Sequence, residues 1–155
     1  MNQIEILDGA MGSELICHGE SLPNHIWSAK TNLTNPNLIY RIHKEYIEQG
    51  ADYITTNTFR TTFRAFKKTG LSDDEASNHA HQSFEAAIHM AQKASNKKIK
   101  ILGSIAPLED CYMPNLFPGT THAKKEFEEI AKKLVSAVNS EDFDIVHIQY
   151  VHSSR

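Results

Sequence analysis

Three polar segments each follow a short apolar run, and they hold most of the residues in this chain that could touch a small polar ligand. LDGAMGSEL at residues 7–15 offers Asp8, a carboxylate able to take an ammonium or hydroxyl group. Gly9 and Gly12 beside it fit an Asp-Gly turn equally well, and in that case Asp8 only shapes the loop. TTNTFRTT at residues 55–62 surrounds Asn57 and Phe59 with threonine hydroxyls, which could bind a ligand or satisfy the loop's own backbone. GSIAP at residues 103–107 puts Gly103 where only a small residue lets a ligand or neighbouring backbone come close.

Metal and nucleophile chemistry find less support. Of the nine histidines, His79 and His81 are two apart on a predicted helix, so they point away from each other and cannot share an ion. His43, His81 and His89 are expected on solvated or partly buried helix faces. His147 and Gln149 share one face of the last predicted strand, without a third ligand beside them. Cys17 and Cys111 are the only cysteines and form no CxxC pair, so the chain can assemble neither a disulfide framework nor a cysteine zinc cluster by itself.

The elements that must position these residues alternate. β-rich runs stand at residues 4–7 (IEIL), 52–56 (DYITT), 98–102 (KIKIL) and 143–148 (FDIVHI). The first intervening helix has Asn35 and Pro36 at its start, Leu38, Ile39, Ile42, Tyr46 and Ile47 at helical spacing, and Gly50 as its stop. The second opens on a capping-box pattern from Ser72 to Glu75 and carries Ala76, Ala80, Phe84, Ala87, Ile88 and Ala91 on one face. The third sets Phe127, Ile130, Ala131, Leu134, Val135 and Val138 over a Lys/Glu-rich outer face. A βαβαβαβ order implies parallel strands with right-handed crossovers, in an open doubly wound sheet or part of a (β/α)8 barrel. In both, ligands bind at the C-terminal strand ends, where residues 8–35 and 104–121 form the predicted long loops.

Composition excludes some functions. A net charge of -3 with interspersed signs offers no field for nucleic acid, and Lys93, Lys97, Lys98 and Lys100 lie where a helix should end, where cations suit its dipole. No apolar run is long enough to span a bilayer, and MNQIEILDGA has neither a basic n-region nor a long apolar h-region, so a cytoplasmic location is expected.

In order and separation, LDGAMGSEL, WSAKTNLTNPNLIYRIHKEYIEQGADYITTNTF and GSIAPLEDCY resemble the N-terminal half of the homocysteine S-methyltransferase family, over roughly residues 5 to 146. The resemblance implies an α/β fold of the (β/α)8 TIM-barrel type, of which residues 1–155 would be a partial homocysteine-binding domain. It also implies methyl transfer to the sulfur of homocysteine, giving methionine, from a donor such as S-methylmethionine, betaine or a corrinoid. The family's zinc makes the thiolate available. That zinc is held by three cysteines in GxNC-type and GGCC-type motifs, which this chain lacks, so none is expected bound here and no catalytic residue is assigned. By the same resemblance Asp8 and Gly9 hold the substrate's amino-acid group and Thr58 and Phe59 border it; Asn57, in the same polar stretch, is taken as a substrate-binding residue beside them. Gln149 stands where the family has a glutamate for the substrate ammonium, a departure that removes a charge.

A complete barrel of this type needs about 250 residues. The chain is therefore expected to be truncated after its fourth strand, through a frameshift or early stop, and to be inactive alone. The alternative is a non-catalytic half-barrel that binds a small amino acid or self-associates through open barrel edges. Homocysteine is the expected small-molecule partner, with neither nucleic acid nor membrane. Whether the chain is itself an enzyme stays open.

Overall fold

The computed structural model describes residues 4–110, 113–138 and 143–148, with backbone alone considered at Val138 and in the last segment. Among these described residues six α-helices and three strands alternate in part: α1 (Met11–Cys17), α2 (Ala29–Thr34), α3 (Pro36–Glu48), β1 (Tyr53–Thr55), α4 (Phe63–Lys67), α5 (Asp73–Ser95), β2 (Lys100–Ile105), α6 (Thr120–Val138) and β3 (Phe143–Ile148). A 3-10 turn, Pro114–Leu116, precedes α6. The strands form one parallel sheet in the order β1-β2-β3, with Ile54 opposite Ile101 and Leu102 opposite Ile145.

The long helices form for the reasons their sequences supply. In α5 the Ser72 hydroxyl accepts from Glu75 N while Ser72 N donates to the Glu75 carboxylate, closing the capping box. The Ser72 hydroxyl, which also lies 2.7 Å from that carboxylate, and then the backbone N–H hold it below its usual range. The helix stops at Asn96, which is left-handed at φ 48°. Its alanine face lets it lie close to the sheet, where Phe84, Ile88, Ala91 and Ala94 pack with Ile54, Ile101, Ile105 and Leu134. α3 begins at Pro36, and the chain turns away at Gly50, φ 98°. On α6 Leu134 is buried but Val135 is half exposed, so its apolar stripe is narrower than the spacing predicts.

Four expectations change. The predicted strand at residues 4–7 is an extended arm with a single parallel bridge, Leu7 to Tyr53, flanked by bonds from Asp52 N to Ile6 O (2.8 Å) and Asp8 N to Tyr53 O (3.0 Å). Among the described residues β1 is the one strand it bridges to, and the arm leaves Ile4 at 87% exposure. The predicted loop at 8–35 contains α1 and α2, and α4 follows the second polar segment; helices of five to seven residues are too short to show a periodic stripe. Gly103 makes room for a side chain rather than for a ligand or backbone: a Cβ there would meet Leu134 Cδ2 at 2.9 Å. His43 lies fully inside, not on a solvated face.

The sheet's two faces differ. Ile54 and Ile101 face the helical layer, and alternation places Ile4 and Ile6 on that same side. The opposite face carries the alternates Tyr53, Thr55, Leu102 and Ser104. There Tyr53 Oη donates to Glu5 (2.8 Å) and Lys100 Nζ donates to Tyr53 Oη (2.9 Å), so its lower end is a polar cluster.

Candidate functional site

The C-terminal end of β1 opens into a cleft of about 620 Å³, with walls from residues 7–13, Trp27 and Ser28, residues 55–57, Phe59 and Ser104. Asp8 enters it at the end of the arm. Its Oδ2 accepts from Thr55 N (2.7 Å) and its Oδ1 from Thr55 Oγ1 (2.8 Å), which fixes the carboxylate against the strand end. A carboxylate accepts about four hydrogen bonds, so this grip is compatible with a ligand cation. Gly9 is closely packed: a Cβ would fall 2.6 Å from Tyr46 Oη, so the Tyr46 ring would have to shift. Burial, followed by the charges of Glu14 and Asp8, raises the Tyr46 phenol above its ordinary range, keeping it neutral against the loop.

The other predicted site residues separate into two roles. Phe59 lines the cleft, with the Arg60 guanidinium 5.6 Å from its ring centroid. Asn57 also borders the cleft but is buried, and its side-chain amide faces inward: Nδ2 donates to Ser28 O (3.1 Å) and to Asn32 Oδ1 (2.8 Å). Thr58 does not line the cleft. Its hydroxyl donates to Ser104 O (2.7 Å) beside Thr56 Oγ1 (2.8 Å), tying the end of β1 to β2. The structure thus brings Asp8, Gly9, Asn57 and Phe59 to one cleft and gives Thr58 a bracing bond behind it. Gln149 and Cys111 lie outside the described residues.

Sequence reasoning missed Trp27 and Ser28 as walls, although WSAKTN held them in view. Trp27 has φ 45° and Arg60 φ 61°, both in the left-handed region that costs a non-glycine residue energy. These two strained positions flank the cleft.

A second hollow of about 460 Å³ lies between α4 and α6. Three of its cations are answered by acids. Arg64 Nε donates to Glu126 (2.9 and 3.0 Å), Arg64 also pairs with Glu109, Lys68 pairs with Glu109, and Lys67 with Asp73 (2.7 Å). The hydrogen bond to Glu126 above all raises the Arg64 pKa further. This is an ion-pair seam joining α4, α6 and the segment after β2.

Among the described residues no three His, Cys, Asp or Glu side chains converge on a point that could hold a metal ion. Cys17 is exposed, at the end of α1. The chain has two cysteines in all, fewer than the three-cysteine set implied by the resemblance, so the residues present do not fit a zinc site of that kind. No helix among them is long and apolar enough to cross a membrane.

A parallel α/β sheet with a polar cleft at its strand ends and an acid held at the first of them defines the class of protein. The homocysteine S-methyltransferase family profile matches residues 5–155, and the chain belongs to that family. It is 34% identical over 98 residues to homocysteine S-methyltransferase 1 of Arabidopsis thaliana, covering 63% of this chain and 30% of that protein. It is 40% identical over 82 residues to the selenocysteine methyltransferase of Astragalus bisulcatus, covering 53% and 24%. The metallated homocysteine methyltransferase MmuM from Escherichia coli superposes with a TM-score of 0.70 at 23% identity, over 95% of this chain and 54% of MmuM. The match thus spans less than a third of these curated relatives and about half of the solved structure.

Proposed function

We propose that this chain is the amino-acid-binding portion of a homocysteine S-methyltransferase barrel, with residues 1–155 forming a partial homocysteine-binding domain built on the first four strands of a (β/α)8 architecture. The observation that carries the reading is the Asp8 carboxylate, fixed by Thr55 in a cleft walled by Trp27 and Phe59. In it Asp8 pairs with the ammonium group of homocysteine. Gly9 keeps the backbone low beneath the substrate, and the two aromatic side chains border its aliphatic part. Asn57 and Thr58 act from behind by holding the strand end, and Gln149 occupies the place of an acid.

Methyl transfer from a donor such as S-methylmethionine or betaine needs the substrate thiol as a thiolate, which zinc supplies where the family binds it. This chain does not bring the necessary thiolates together, so it binds but does not turn over when alone. A cytoplasmic setting goes with this reading. A second reading, a non-catalytic half-barrel that self-associates, is favoured by Ile4 and Ile6, which are exposed on the helix side of the sheet.

Calorimetry with L-homocysteine, zinc stoichiometry after dialysis and assay for methionine test both readings on the purified 155-residue chain. The first expects saturable homocysteine binding without stoichiometric zinc or methionine. Stoichiometric zinc with turnover would overturn the claim of inactivity, and no homocysteine binding would leave only the second reading.

A further inference from the structure

A buried polar network lies directly behind the cleft. Asn32, on α2, donates through Nδ2 to Asn57 O (2.9 Å) and to Ser83 Oγ (3.1 Å), and its Oδ1 accepts from Asn57 Nδ2 (2.8 Å). Asn57 Nδ2 also donates to Ser28 O (3.1 Å), and the Ser83 hydroxyl, on α5, donates to Ala29 O (2.8 Å). Ser28, Asn32, Asn57 and Ser83 are all at or below 3% exposure. Three parts of the chain far apart in sequence meet here: the strand end after β1, the start of α2 and the middle of α5.

Packing alone would not require this chemistry, because buried amides and hydroxyls are costly unless matched, and apolar residues of similar volume fill such space at less risk. What the network adds is direction. The carbonyls of Ser28 and Ala29, the first residues after Trp27, are each held by a side chain from another element. Trp27 itself sits at φ 45°, its N donating to Pro23 O (2.6 Å), and its indole Nε1 is 2.7 Å from where a Cβ on Gly12 would be. A strained residue persists only where its surroundings over-determine it. On one side those surroundings are the Asp8–Gly12 loop, and on the other the network.

We propose that Asn32 and Ser83 are positioning residues: with Asn57 they hold the Trp27–Ser28 wall at a fixed distance from the strand end and so set the width of the cleft. Asn57 then belongs to the site through the wall it anchors. Which ligand profits rests on the amino-acid-binding reading above, but the positioning itself does not.

Trp27 is the only tryptophan, so its fluorescence reports the wall without any ligand. Asn32→Ala and Ser83→Ala are compared with Ile88→Val, a core change elsewhere on α5. Circular dichroism confirms that each is folded. Both network variants are expected to raise acrylamide quenching of Trp27 by about two-fold and to lower its anisotropy, whereas Ile88→Val lowers the melting temperature and leaves Trp27 as it was. If Asn32→Ala does not fold, Ser83→Ala carries the test, since it removes one link and leaves the Asn32–Asn57 pair. The proposal is overturned if the folded network variants lose stability while Trp27 emission, quenching and anisotropy stay as in the wild type. A separate L-homocysteine titration of the wild type tests the amino-acid reading: a moved Trp27 in the variants with no homocysteine binding would keep the positioning role and discard the ligand.

Discussion

His43 shows at the scale of one residue how much spacing can reveal and how much it cannot. It stands four residues after Ile39 and four before Ile47, squarely on the apolar stripe of α3, so an inward position was readable in the spacing, although the imidazole was expected on a solvated or partly buried face. The missing partners were not: neither ring nitrogen has a hydrogen-bond partner among the described residues. Burial lowers its pKa from 6.5 to about 4, since the charged ring would lose its hydration. Between these values the unfolded chain binds the proton and the folded chain does not. Stability therefore rises with pH across that window, and up to about 3 kcal/mol is lost as pH falls from 6.5 to 4. Urea midpoints at pH 7 and pH 5 should differ in the wild type, and His43→Leu should remove most of that difference; an unchanged difference would assign it to other groups. Asp8 is the complementary case, legible from the motif while its restraint by Thr55 was not. Asp8→Asn should weaken homocysteine binding by about 1.5 to 3 kcal/mol, the range for a charge-assisted hydrogen bond, as read by calorimetry. Equal affinity would return Asp8 to a loop-shaping role.

Elements were legible in proportion to their length and their end signals. α5 carries a cap, an alanine face and a left-handed stop over 23 residues, and every residue predicted for its buried face is buried. α1, α2 and α4 span five to seven residues, and tertiary contacts rather than propensity stabilise them. The arm at residues 4–8 has strand composition, but pairing is a property of two chains side by side, and among the described residues it has one bridge, to β1. Gly103 joins two elements in a single contact, because Leu134 of α6 sits against the bare backbone of β2. Gly103→Ala should cost about 1 to 3 kcal/mol by overpacking. Combining it with Leu134→Val should restore part of that loss, measured as a positive coupling in a double-mutant cycle. Additive losses would mean that the two residues do not compete for the same space. The cleft was only half legible for the same reason: strand-end residues such as Phe59 announce themselves, whereas the wall at Trp27 is placed by α2, an element the pattern did not disclose.

For the molecule as a whole, the helix-side face beyond β1 is apolar and exposed among the described residues, with Ile4 at 87% and Ile6 at 54% exposure. An open edge with apolar side chains recruits other chains. The expected outcome is concentration-dependent association at roughly tens of micromolar in light scattering, reduced by Ile6→Lys. A sharp monomer for the wild type at that concentration would show that the arm is covered in some other way. The opposite face has a different consequence. Apart from Leu7 and the buried Leu102 and Ser104, the arm, β1 and β2 present Glu5, Tyr53, Thr55 and Lys100 there, with the Glu5–Tyr53–Lys100 cluster already hydrogen-bonded. Whatever closes over such a surface removes little hydrocarbon from water, so its heat-capacity change will be small and its binding enthalpy nearly constant with temperature. The same closure buries charge that bulk ions otherwise screen, and its strength will follow ionic strength instead.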